Sequence, residues 1–133
     1  MAAAIANGRY LTWTLTLASE KVLNLDSISI TGYSQDQVVN FALFTDLTGS
    51  FQEGDAIASW EVPNTIDAPT GRTEMINLSA IPELQEITSP IEFRLYYWGK
   101  TKNAAQIGIG RAFKSWGEPG NDLEILGTII DRP

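Results

Sequence analysis

Apolar and polar residues alternate with period two along most of the chain, the signature of β-strands with one buried face. In Tyr10–Leu17, Leu11, Trp13, Leu15 and Leu17 share one side, while Tyr10, Thr12, Thr14 and Thr16 share the other. Leu23–Thr31 carries Leu23, Leu25, Ile28 and Ile30, and the change of phase across Asp26 and Ser27 predicts a bulge or bend. Val38–Phe44 repeats the alternation through Val39, Phe41 and Leu43. Ala56–Val62, Thr73–Leu78, Ile91–Trp98, Ala105–Phe113 and Leu123–Ile130 bring the expectation to about eight strands.

Turn residues separate these runs, among them Gly32 to Asp36, Thr48 to Ser50, Pro69 to Gly71 and Pro119 to Asp122. One stretch, Ser79–Glu86, predicts a turn or two of helix, with Ser79 as N-cap and Pro82 in the first turn. There is no heptad pattern, low-complexity tract or internal repeat. Short strands joined by polar turns predict an all-β fold: an antiparallel β-sandwich of jelly-roll type, about eight strands with one short helix. Residues 10–133 are expected to form this single domain, and residues 1–9 an N-terminal extension or cloning remnant.

Composition narrows the function by subtraction. The 133 residues are 44% hydrophobic and 19% charged, enough for one core and incompatible with a disordered segment. No apolar run approaches the roughly 20 residues that span a bilayer, so membrane insertion is not expected. Cysteine and histidine are absent, which removes disulfides, thiolate and imidazole metal ligands, and nucleophiles served by histidine. Met1–Ala6 has neither the basic nor the long apolar region of a secretory signal. A formal net charge of −7 argues against nucleic acid as a partner.

The charges are unevenly placed. Between residues 45 and 92 the acids Asp46, Glu53, Asp55, Glu61, Asp67, Glu74, Glu83, Glu86 and Glu92 face a single base, Arg72. From residue 93 to residue 117 the bases Arg94, Lys100, Lys102, Arg111 and Lys114 occur without an acid. Either neighbouring strands mix these charges on the surface, or the second segment forms a basic patch for an anionic ligand.

Aromatic residues share that basic segment. Ile91, Phe93, Leu95 and Tyr97 are expected in the core, leaving Glu92, Arg94, Tyr96 and Trp98 outside. A hairpin turning at Thr101 and Lys102 would set Trp98 opposite Gln106, Tyr96 opposite Gly108 and Arg94 opposite Gly110. An aromatic, a planar cation and two bare glycines would then make a shallow groove. Such a groove suits sugar rings, whose C–H faces pack on aromatics while Arg and Gln hold their hydroxyl or acidic groups. The same arrangement also serves to cover weak strand backbone. Trp116, in the polar loop from Lys114 to Asp122, either folds back on the core or meets a ligand; Tyr33 is a weaker case. Trp13, on the apolar face of its strand, is expected in the core. The candidate ligand-binding set is Arg94, Tyr96, Trp98, Lys100, Lys102, Gln106, Arg111 and Trp116.

The segment order resembles a domain of exported bacterial proteins that carry PEP-CTERM sorting tails. The resemblance rests on Tyr10-Leu-Thr-Trp-Thr-Leu-Thr16, on the leucine-rich strand Leu23 to Ile30, and on the run from Asn77 to Tyr96 that contains Ile87-Thr-Ser-Pro-Ile-Glu-Phe-Arg-Leu-Tyr. It covers residues 77–99 well and residues 10–130 loosely. It implies an architecture similar to jelly-roll carbohydrate-binding modules, an extracellular or cell-surface location, and other domains of a longer exported protein as neighbours. No catalytic residues transfer with it. Pro63–Arg72 and Lys114–Asp122 depart from the pattern as longer loops, where specificity is expected to sit.

No cofactor is expected. A structural calcium ion is a weak alternative, near Asp46, Glu53 and Asp55 or near Glu118, Asn121 and Asp122. Only carboxylates, Tyr, Lys and Arg are available for catalysis, and no converging pair is visible in the sequence, so an enzyme is not expected. The sequence points to a non-catalytic polysaccharide-binding module, for an anionic glycan in its sharper form. The alternative is a structural or adhesive surface domain that contacts proteins and recognises no sugar.

Overall fold

A computed structural model describes residues 1–35, 37–64, 71–99, 106–109 and 122–133. Its elements are α1 (Ala2–Ala6), β1 (Tyr10–Leu15), β2 (Lys21–Gln35), β3 (Val39–Thr45), β4 (Ala58–Val62), β5 (Arg72–Asn77), β6 (Ile91–Gly99), β7 (Gln106–Ile109) and β8 (Leu123–Asp131). The strands form two antiparallel sheets. One runs β1-β6-β3-β4; the other runs β5-β2-β7, with β8 also paired to β2.

The winding is that of a jelly roll. β1 pairs with β6, β2 with β5 and β3 with β4, alternately in the first, second and first sheets, as a folded ribbon wrapped into a sandwich would place them. β7 and β8 occupy one lane on the edge of β2 away from β5. Ile109 lies opposite Gly32, and Leu123 opposite Ile30. Between them, the Thr31 N–H donates to the Asp122 carbonyl over 2.8 Å.

The alternation read from the sequence fills the space between the sheets. Leu25, Ile28 and Ile30 of β2 meet Phe41 and Leu43 of β3 and Ile91, Phe93 and Leu95 of β6, all essentially without solvent contact. The phase change predicted at Asp26 is a register shift between Leu25 and Ser27 against β8. Trp13 packs on the core with its ring stacked 5.6 Å from Phe93, yet stays half-buried because β1 is an edge strand.

Three expectations are corrected. The first is the hairpin: β7 does not pair with β6. Trp98 lies opposite Asn40, Tyr96 between Ala42 and Tyr10, and Arg94 between Phe44 and Thr12, while Gln106 pairs with Gln35 and Gly108 with Tyr33 in the other sheet. β6 has β1 on one edge and β3 on the other, so no edge is left for a returning strand. The second is the helix at Ser79–Glu86, which is one 3-10 turn at Pro82–Leu84. Ile81, preceding a proline, is held extended and interrupts any helix begun at Ser79. Nor does Ser79 cap: its N–H and hydroxyl both donate to the Asn77 side chain. The third concerns the outside of the first sheet, which is not open. Ala42, Phe44 and Tyr96 point outward there and are buried with Ala4 of α1 in a second apolar cluster, flanked by Ile5, Tyr10, Phe51 and Trp98.

Candidate functional site

Arg94 is the centre of that outer layer. Its strand position sends the side chain away from the core, between Thr12 and Phe44. Nε donates to Glu92 Oε2 at 2.7 Å and Nη1 donates to the Tyr96 hydroxyl at 3.1 Å. The guanidinium carbon sits 4.5 Å from the centre of the Tyr10 ring and 3.9 Å from that of Phe51. Thr12 Oγ1 lies 3.1 Å from Glu92 Oε2 and 2.9 Å from the Phe93 carbonyl, both in reach of its single proton. The hydrogen bond from Arg94 holds the Glu92 carboxyl below its ordinary range, and the same bond raises Arg94 further above its own.

Phe51 reaches this cage because of a folded loop. Asp55 Oδ2 accepts from the Ser50 and Gln52 N–H groups at 2.9 and 3.3 Å, and these bonds lower its pKa. A Cβ on Gly49 would lie 2.4 Å from Asp55 Cγ, so glycine is needed for the carboxylate to close the loop. Phe51 itself has φ of +61°, a conformation that side chains other than glycine rarely adopt. Its contact with the cation helps to hold it there.

A guanidinium already paired with a carboxylate, bonded to a phenol and packed against two rings is a clamp between β1, β6 and the loop. Of the residues selected from the sequence, Arg94, Tyr96 and Trp98 come together in this layer, with Tyr96 buried and Trp98 half-buried. Gln106 lies in the opposite sheet. Lys100, Lys102, Arg111 and Trp116 lie outside the described residues.

Asp46 and Asp55, considered for calcium, have oxygens committed to backbone amides: Asp46 Oδ1 accepts from the Glu92 N–H at 3.0 Å. No group of three or more acidic side chains able to hold a metal ion occurs among the described residues. No described helix is long and apolar enough to cross a membrane.

The less expected feature is at the other seam of the sandwich. Leu15 and Leu17, at and just beyond the end of β1, face Ile125 and Ile129 of β8 across an apolar cleft of about 230 Å³, floored by Leu23 and Leu25. β8 carries apolar residues on both faces, Leu123, Ile125 and Ile129 on one and Leu126 and Ile130 on the other, yet it pairs only with β2 among the described strands. Leu126, Ile129 and Ile130 are 49%, 61% and 49% exposed. Strands apolar on both sides are normally covered on both sides, and exposed apolar edges are normally blunted by charge or proline. Leu123–Asp131 has neither lysine nor proline. The sequence signal for this surface was the break in alternation at Ile125-Leu126 and Ile129-Ile130.

Comparison of the chain with protein-family models, with curated proteins and with solved structures finds no match.

Proposed function

We propose that this chain is a non-catalytic contact module that binds an extended segment of another protein along the edge of β8 that no described strand pairs. The supporting observation is an edge strand whose exposed middle, Leu126 to Ile130, carries no charge and is continuous with an apolar cleft. A strand added to β8 would gain main-chain hydrogen bonds and place alternate side chains over Leu15 and Leu17. This is the structural or adhesive role, without sugar recognition, in a domain placed outside the cell or at its surface. Panning a random-peptide display library against the domain tests it. Peptides with alternating apolar residues should bind, and Ile129→Lys should abolish their binding while the fold is kept. No enrichment, or equal binding to the variant, would refute the role.

A second reading, a polysaccharide module for an anionic glycan, is favoured by one observation. Trp98 stays half-exposed near the end of β6, two and four residues before Lys100 and Lys102 in the sequence. It requires that uronic or sulfated polysaccharides bind, that binding fade with salt, and that Trp98→Ala weaken it. A flat titration across such a panel, with and without calcium, would remove it.

A further inference from the structure

We infer that the segment taken up by β8 is β8 of a second copy, paired antiparallel about a two-fold axis at Thr128. Self-pairing presupposes the contact role of this edge and specifies its occupant.

The backbone sets the geometry. Arg132 N–H donates to the Glu20 carbonyl at 2.7 Å, and the Asp122 carbonyl accepts from Thr31, so even-numbered residues of this lane turn their amide groups toward β2. By alternation Ile125, Gly127 and Ile129 present theirs at the opposite edge, which no described strand pairs. A second β8 bonded there makes Thr128 and its symmetry mate a non-hydrogen-bonded pair on the axis.

The side chains favour that register over its neighbour. With Thr128 on the axis, Leu126 meets Ile130 of the other copy and Glu124 meets Arg132, each twice. Ile129 comes opposite Gly127, where no side chain competes for space above the cleft. Moving the axis to Gly127 would bring Ile125 against Ile129 but set Glu124 against Ile130, Leu126 against Thr128 and Leu123 against Asp131, whereas the Thr128 axis mismatches only Ile125 with Asp131. A parallel pairing would stack Glu124 on Glu124. Apolar–apolar and opposite-charge cross-strand pairs stabilise a sheet, and like charges oppose it. Gly127 is itself required by β2, since a Cβ there would lie 2.5 Å from the Asn24 carbonyl oxygen. The flat spot opposite Ile129 is therefore built into the strand. Two copies of net charge −7 repel, so association should be weak at low ionic strength and strengthen with salt.

The chain contains no cysteine, so a single introduced thiol is unambiguous. Thr128→Cys places two thiols on Cα atoms about 4.5 Å apart across the axis, in the range a disulfide spans. Under mild oxidation it should form the covalent dimer at least tenfold faster than Met75→Cys, an exposed site on the far edge strand β5. Adding Leu126→Lys should return it to the control rate with the melting curve retained. Thr128→Cys at the control rate, with the wild-type chain sedimenting as a monomer in high salt, would overturn self-pairing. Display peptides that still bind the β8 edge in that event would leave the contact role standing with a different occupant. Loss of both would remove both.

Discussion

The Arg94 guanidinium carbon lies 3.9 Å from the centre of the Phe51 ring, joining a strand to a loop more than forty residues away in sequence. The contact explains how a basic residue in a basic segment became part of the scaffold. Its charge is matched by Glu92, and its flat face is covered by aromatic carbon.

Removing the cation should loosen the loop. Arg94→Met is expected to lower stability by about 1–2 kcal/mol, from lost cation–π contact and a lost charged hydrogen bond. Chemical denaturation measures it, and a double-mutant cycle with Phe51→Leu should show coupling between the two residues. Independent, additive effects would count against the clamp.

Acid should weaken the same region. Glu92 and Asp55 have folded-state pKa values below their ordinary values of 4.5 and 3.8. Their contribution is therefore present above about pH 4.5 and lost as pH falls through the depressed folded values. Urea unfolding between pH 7 and pH 3 should show this decline, and Glu92→Gln should flatten it while lowering stability at neutral pH.

Two aromatics of the basic segment should respond differently to truncation. Tyr96→Ala empties a buried site and is expected to cost about 3–5 kcal/mol. Trp98→Ala, at a half-buried site, should cost about half as much, with the far-UV spectrum unchanged. Equal losses would place Trp98 deeper than its exposure indicates.

The N-terminal helix should matter to the sheet it covers. Ala4 is 1% exposed over Ala42, Phe44 and Tyr96. Ala4→Asp should therefore destabilise by about 2 kcal/mol or expel the helix. Either result should shift the Tyr96 environment in near-UV circular dichroism. A variant identical to wild type in both measurements would show that α1 does not hold this face.

Gly127→Ala should cost about 1–3 kcal/mol, because the obstacle is backbone oxygen and the strand must shift. Thr128→Ala, one residue along, should be close to neutral. Thermal melting of the pair distinguishes a local clash from general fragility of β8.

Much of the sandwich was legible from local pattern alone. Period two between Leu23 and Ile30, between Val39 and Leu43 and between Ile91 and Leu95 identified the inner face of each strand, because pleat geometry sends alternate side chains to opposite sides. The bulge at Asp26 was legible for the same reason: a lost residue of phase must be absorbed somewhere. The candidate site was less so. Alternation puts Arg94, Tyr96 and Trp98 on one face of β6, but it carries no sign that α1 and the Phe51 loop cover that face. The uninterrupted run from Phe41 to Phe44 was the available sign that the sheet is covered on both sides.

By itself the sequence determined which segments become strands and which side of each is apolar, since both follow from residue spacing and backbone pleat. Only the tertiary structure decided which strand edges meet. β6 is hydrogen-bonded on both edges and so sends β7 to the other sheet, turning an expected binding groove into two unrelated surfaces. It also decided that Ala4 and Phe51 cover Tyr96, while Ile129 is left exposed. Closure of a sandwich is a property of all its strands together, and no window of local sequence contains it.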